Sequence, residues 1–349
     1  MIDADVRIPF EMDLFYTSFS NERSMVMRST PFVFIILVLA LWAGPAAGEQ
    51  ILELEAVRQT ATGAVDVLSA VWSPDGAVLA LTGAKHAGIH LMDVSTGRVT
   101  ILTDEAQAGY RLAWSPDGRQ IAYKALVDDE LMTKVVKLAD LESGEIRTVS
   151  GVANDVGVPT WFPDGRLGFT YQGDFLITDR SGAVLETIAG IGSNVAAVSS
   201  DGQWLLYNDR DDRIWACHLT DGERFQATPD GRRFFNPVWS PAEPVAVINE
   251  LGGPFYLLDI AAGTLTELDD GNHYAWSPDG ARIIYDVTED DGYHITAAEI
   301  YTILPDGSGR TALTATEARL EMYPSWSSTG RIAFTEPDGA AYTAQLTIE

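Results

Sequence analysis

The chain has 349 residues, 46% hydrophobic and 21% charged, and sets 50 Asp plus Glu against 23 Lys plus Arg, a formal net charge of −27. That balance excludes a nucleic-acid binder, whose affinity rests on cations that neutralise phosphates. Mixed composition without low-complexity stretches excludes a disordered polymer, and a single cysteine, Cys217, excludes an internal disulfide.

Residues 1–24 fit no targeting pattern, whereas Met25 or Met27 followed by Arg28 opens an export signal. Phe32 to Ala43 is an apolar run of twelve, too short to span a bilayer comfortably, and Ala46-Ala47-Gly48 offers small residues for cleavage after Gly48. The expected division is residues 1–48 as extension plus signal and 49–349 as one domain in the periplasm or cell exterior. An uncleaved anchor is the alternative, and would be the chain's one contact with a membrane. No lipid-attachment cysteine follows the run.

A strand is predicted over Ile51 to Arg58, and after it a short phrase recurs. It reads Trp72-Ser73-Pro74-Asp75-Gly76, Trp114-Ser115-Pro116-Asp117-Gly118, Trp161-Phe162-Pro163-Asp164-Gly165 and Trp276-Ser277-Pro278-Asp279-Gly280. Worn copies begin at Val198, Trp239 and Trp326, so the successive intervals are 42, 47, 37, 41, 37 and 50 residues. That is the period of a four-stranded propeller blade. Proline presets the first turn corner and glycine supplies the left-handed position, so each phrase predicts a hairpin turn with Trp closing the incoming strand. An apolar strand follows each turn, as at Val78 to Leu81 or Arg282 to Tyr285. A third strand then leads to a second Asp/Gly turn and a fourth strand, for example Val99 to Thr103 or Arg310 to Thr314.

After Trp326 only two further strands fit, Arg331 to Thr335 and Ala341 to Ile348, so the seventh unit lacks its outermost strand. Pairing Ile51–Arg58 with that unit satisfies both exposed edges. An all-β, seven-bladed propeller of four-stranded antiparallel blades is therefore expected. Six or eight blades are the alternatives if the copy at Val198 or the 50-residue interval is misread.

Loops joining second to third strands are acidic, with Asp128-Asp129-Glu130, Asp209 with Asp211-Asp212, and Glu289-Asp290-Asp291; loops between blades add Asp104-Glu105 and Asp269-Asp270. These two loop classes share the face opposite the Trp turns, which predicts one acidic rim suited to solvent or to a basic partner. No cofactor is expected. Calcium is the one candidate, at Asn208 to Asp212, where Arg213 interrupts the required alternation of oxygen ligands. His86 and His90 flank a turn rather than share a helix face, so no zinc pair forms. No Gly-x-Ser-x-Gly elbow occurs. Cys217 and His218 are strand neighbours pointing to opposite faces, which prevents a nucleophile–base pair.

The copies Trp72 to Gly76, Trp114 to Gly118 and Trp276 to Gly280, each leading into an apolar strand, resemble the WD40-like PD40 repeats of the TolB-type propeller family over about residues 51–349. The resemblance implies a rigid ring that binds a partner over its loop face or channel mouth. The residues leading into the inner strands are then the expected contacts: Tyr110, Arg111, Arg232, Arg233, Phe234, Phe235, His273, Tyr274, Met322 and Tyr323. A monomeric, non-catalytic exported module for a protein or small ligand is the favoured reading. A propeller hydrolase or lyase with a metal in its channel is the competing one, and three or more carboxylates or imidazoles converging there would favour it.

Overall fold

In the computed structural model, residues 52–61, 66–316 and 319–348 are described, and they form seven four-stranded antiparallel sheets. The export signal at 1–48 and the first residue of the strand expected from Ile51 lie outside them. The inner strands of blades 1 to 7 are Val67–Trp72, Ala113–Trp114, Thr160–Trp161, Ala196–Val198, Phe234–Trp239, Asn272–Trp276 and Met322–Trp326. Neighbouring inner strands touch, and blade 7 meets blade 1 through Ser325 Oγ donating to Ala70 O at 2.6 Å, so the blades close a ring. The count is seven, with the copy at Val198 forming blade 4.

Closure follows the sequence expectation. The amino-terminal strand, Leu52–Ala61, pairs antiparallel with Ala341–Ile348 from Leu52 opposite Ile348 to Ala61 opposite Ala341. It runs three residues beyond the predicted Arg58. The sheet order is amino-terminal strand, Ala341–Ile348, Arg331–Thr335, Met322–Trp326. The outer strand of blade 6 is shorter than expected, at Thr311–Ala312.

The repeat phrase works through its Ser and Trp as much as through Pro and Gly. Ser73 Oγ donates to Asp75 Oδ1 at 2.6 Å and accepts the Val78 N–H at 2.9 Å, locking the turn in which Gly76 has φ of 69°. The same bracket recurs at Ser115 with Asp117 and Gln120, Ser199 with Asp201 and Trp204, and Ser277 with Asp279 and Arg282. Each of these hydroxyls is buried and uses both donor and acceptor capacity, as a buried polar group requires. The Trp indoles link the blades. Trp114, Trp161, Trp239 and Trp276 donate Nε1–H to the backbone carbonyls of Val71, Ala113, Ala197 and Val238, each the residue before the first repeat position of the preceding blade. Between the blades lie apolar clusters such as Leu206, Ile214, Phe234, Ile248 and Leu258.

Candidate functional site

The loop face carries two arms. Most middle hairpins pair strands of five or six residues, but blade 2 pairs Gln120–Asp128 with Thr133–Asp140, and blade 6 pairs Ile283–Asp290 with Ile295–Ile303. The Trp-turn ends are fixed, so the extra residues project on the opposite side, by about 10 Å at ~3.3 Å per residue. Blade 2 exposes Val127, Leu131 (68%) and Met132 at its tip, and blade 6 exposes Tyr293 (89%). Blades 2 and 6 stand three steps apart around a ring of seven, across the channel from one another.

Between the arms, three inner strands and the turn leading into a fourth share a backbone irregularity. Arg111, Asn236, His273 and Tyr323 each stand three residues before a repeat Trp and have left-handed φ of 51°, 56°, 46° and 53°. Non-glycine residues adopt this region rarely, at a cost of order 1–3 kcal/mol. In blades 5, 6 and 7 it coincides with a register shift, between Phe235 and Val238, Asn272 and Ala275, and Met322 and Ser325. Such bulges re-aim side chains. The His273 and Tyr323 rings then lie 3.8 Å apart, centre to centre. Beneath them Asp286, fully buried, takes His273 Nδ1 at 2.8 Å and the Tyr323 N–H at 3.0 Å on one carboxylate oxygen. Tyr274 donates its hydroxyl to Asn236 O at 2.5 Å. Burial raises the Tyr274 pKa, and Arg111, reaching from blade 2, opposes that shift.

The expected contact residues therefore separate. Arg111, His273, Tyr274 and Tyr323 come together at the channel. Tyr110 packs edge-on against His86 and under Lys124. Arg232 forms a two-bond pair with Glu250, 2.6 Å from Nε to Oε1, and lies over the Phe234 and Tyr256 rings; Arg233 pairs with Asp212. Phe235 is half-buried. Phe234 is fully buried in the core between blades 4 and 5, and Met322 is buried in the inner strand of blade 7, so neither offers a free contact. Sequence reasoning grouped them with the contacts because it took every large residue leading into an inner strand, whichever way its side chain turned.

The predicted acidic rim is compensated in part. Glu105 pairs with Lys137, Asp209 and Asp211 with Arg213, Asp212 with Arg233, and Asp269 with Arg310. Nor is acid confined to that face, since Asp93, Asp140 and Asp179 cap turns on the other. Asp209 already accepts Arg213 Nε at 2.7 Å and Trp215 Nε1 at 2.9 Å on one oxygen, leaving no open calcium ligand there. Among the described residues, no three His, Cys, Asp or Glu side chains converge as a metal would need. Cys217 is buried, and burial raises its thiol pKa. No helix among those residues is long and apolar enough to cross a membrane. At the Trp-turn end, Trp72, Trp239, Trp276, Trp326 and Tyr274 help to line an open cavity of about 360 Å³.

A family model described as the TolB beta propeller domain, PD40, matches residues 111–330. No curated protein matches the chain. Among solved structures, a chain of the "Crystal Structure of Mitotic Checkpoint Complex" is similar at 19% identity and a TM-score of 0.62, covering 89% of this chain and 98% of that one. At that identity the likeness is one of fold.

Proposed function

The chain belongs to the TolB β-propeller (PD40) family, and from that premise we propose that it is an exported, non-catalytic binding module whose loop face docks a protein partner. The observation that carries the reading is the pair of long hairpins on either side of the channel, each ending in exposed apolar side chains, Leu131 and Tyr293 foremost. Exposed apolar groups rimmed by charge mark interaction surfaces, and aromatic residues serve as anchors there. The competing metal-dependent hydrolase or lyase needs three ligating side chains at one point, which the described residues do not supply. The export signal at 1–48 puts the module in the periplasm or outside the cell.

Two measurements test this. Intact mass and amino-terminal sequencing of the protein recovered from its host should place the first residue at Glu49. Capture from an envelope extract should retain a partner with the wild-type protein and with a turn-face control, Ser143→Ala, and lose it with Leu131→Asp plus Tyr293→Ala. Equal capture by all three proteins would defeat the docking assignment.

A further inference from the structure

We infer that the channel mouth between the arms is a carboxylate site, with Arg111 as its cation; this rests on the loop-face reading above and names the chemistry taken there. The other half-buried cations among the described residues have partners. Arg213 holds Asp209, Arg232 holds Glu250, Lys137 holds Glu105 and Arg319 holds Glu321, while Arg147, Arg224 and Arg331 donate to backbone carbonyls. Arg111 is half-buried at the channel and, among the described residues, has no hydrogen bond or ion pair, despite a chain net charge of −27. Taking a guanidinium even partly out of water without an anion carries a cost.

Its backbone adds to the cost. The left-handed turn at Arg111 delivers the side chain from blade 2 toward Tyr274 of blade 6, and the facing wall is built from the other residues with the same conformation, Asn236, His273 and Tyr323 on the consecutive blades 5, 6 and 7. Blade 2 stands opposite that run in a ring of seven. The corresponding positions in blades 1, 3 and 4 are Ser69, Val158 and Val195, none with positive φ. Four of the ten left-handed non-glycine residues among those described thus stand where one cation confronts an amide, an imidazole and a phenol across the axis. The nearby acid, Asp286, gives one oxygen to His273 and the Tyr323 amide, and has no ion pair with Arg111. One planar fork facing an amide, an imidazole and a phenol suits a singly charged planar anion, the carboxylate, better than a phosphate dianion entering a negative field. A carboxylate borne by a partner segment lying between the arms fits both features.

The probe is N-acetylglycine, with N-acetylglycinamide as its uncharged counterpart, titrated into the purified protein at constant ionic strength. The Arg111 Nε–H resonance, assigned by its loss in Arg111→Gln, should move saturably with the acid and not with the amide. Affinity followed on the His273 ring should fall about tenfold or more in Arg111→Gln, the range for a charge-assisted bond, and partly recover in Arg111→Lys. Equal responses to acid and amide, a stronger response to inorganic phosphate, or no saturable movement up to about 50 mM would overturn the assignment. Partner capture that survives Arg111→Gln but not the arm-tip changes would remove the carboxylate site and leave the docking face standing. The reverse pattern would remove the docking face alone.

Discussion

Replacing Trp239 by Phe and, separately, Trp72 by Phe isolates the bond that ties one blade to the next. Both indoles occupy the same repeat position and are nearly equally buried, at 9% and 6% exposure. Trp239 donates Nε1–H to Ala197 O at 2.9 Å, whereas Trp72 Nε1 finds no acceptor among the described residues. Each change removes similar apolar volume and leaves a small cavity, a shared cost of about 1–3 kcal/mol for a partial truncation. Trp239→Phe also deletes a satisfied bond and leaves the half-buried Ala197 carbonyl without that donor, a further ~1–3 kcal/mol, while Trp72→Phe removes a donor whose burial was itself unfavourable. Trp239→Phe should therefore be the more destabilising by about 2 kcal/mol. Urea unfolding followed by far-ultraviolet circular dichroism, with unchanged slope, reads the difference directly. Equal midpoints, or a lower midpoint for Trp72→Phe, would refute the indole as an inter-blade tie.

Ser277→Ala should cost about 1–3 kcal/mol, because it removes the donor to Asp279 and orphans the Arg282 N–H; thermal unfolding checks it. Gly280→Ala should be at least as harmful, since φ there is 71° and an added Cβ would meet the Ala242 Cβ at 2.8 Å. Two pH limbs are expected. The Ser115 hydroxyl, with Arg180, holds the Asp117 carboxyl at about 2, below its ordinary 3.8, so its stabilisation is present above 3.8 and disappears as pH falls toward 2. Asp117→Asn should flatten that acid limb. Burial, with Glu299 nearby, raises the Glu321 pKa above 4.5, so its stabilisation is present below 4.5 and is lost as pH rises through the raised value. Glu321→Gln should flatten the decline above pH 4.5, and denaturation midpoints across pH would show whether either limb persists unchanged.

The blade count and the closure were legible because both are written in periods and edges: seven copies of one phrase, one strand short at the end and one extra at the start. Trp and Ser were visible as repeat letters, but their tasks were not, since an indole bond to Ala197 or a hydroxyl bracket at Ser73 depends on which blade lies alongside. The site was read less well. Phe234 and Met322 were grouped with the contacts only as large residues leading into inner strands, and no glycine announces the bulges at Asn236 and Tyr323 that decide which side chains face the channel. Local sequence also lists Asp209 and Arg213 as neighbours without showing that one neutralises the other. The arms were half legible: their acids stood out, while Leu131 and Tyr293 were lost among other apolar residues until the strand lengths were known.

A photo-crosslinking amino acid placed at Tyr293 or at Leu131 in living cells tests most directly whether the loop face is where a partner sits. Adducts to the same protein from both positions, and none from Ser308 or Ser143 on the turn face of the same two blades, are the predicted result. Adducts formed from the turn-face positions, or from neither face, would contradict the account.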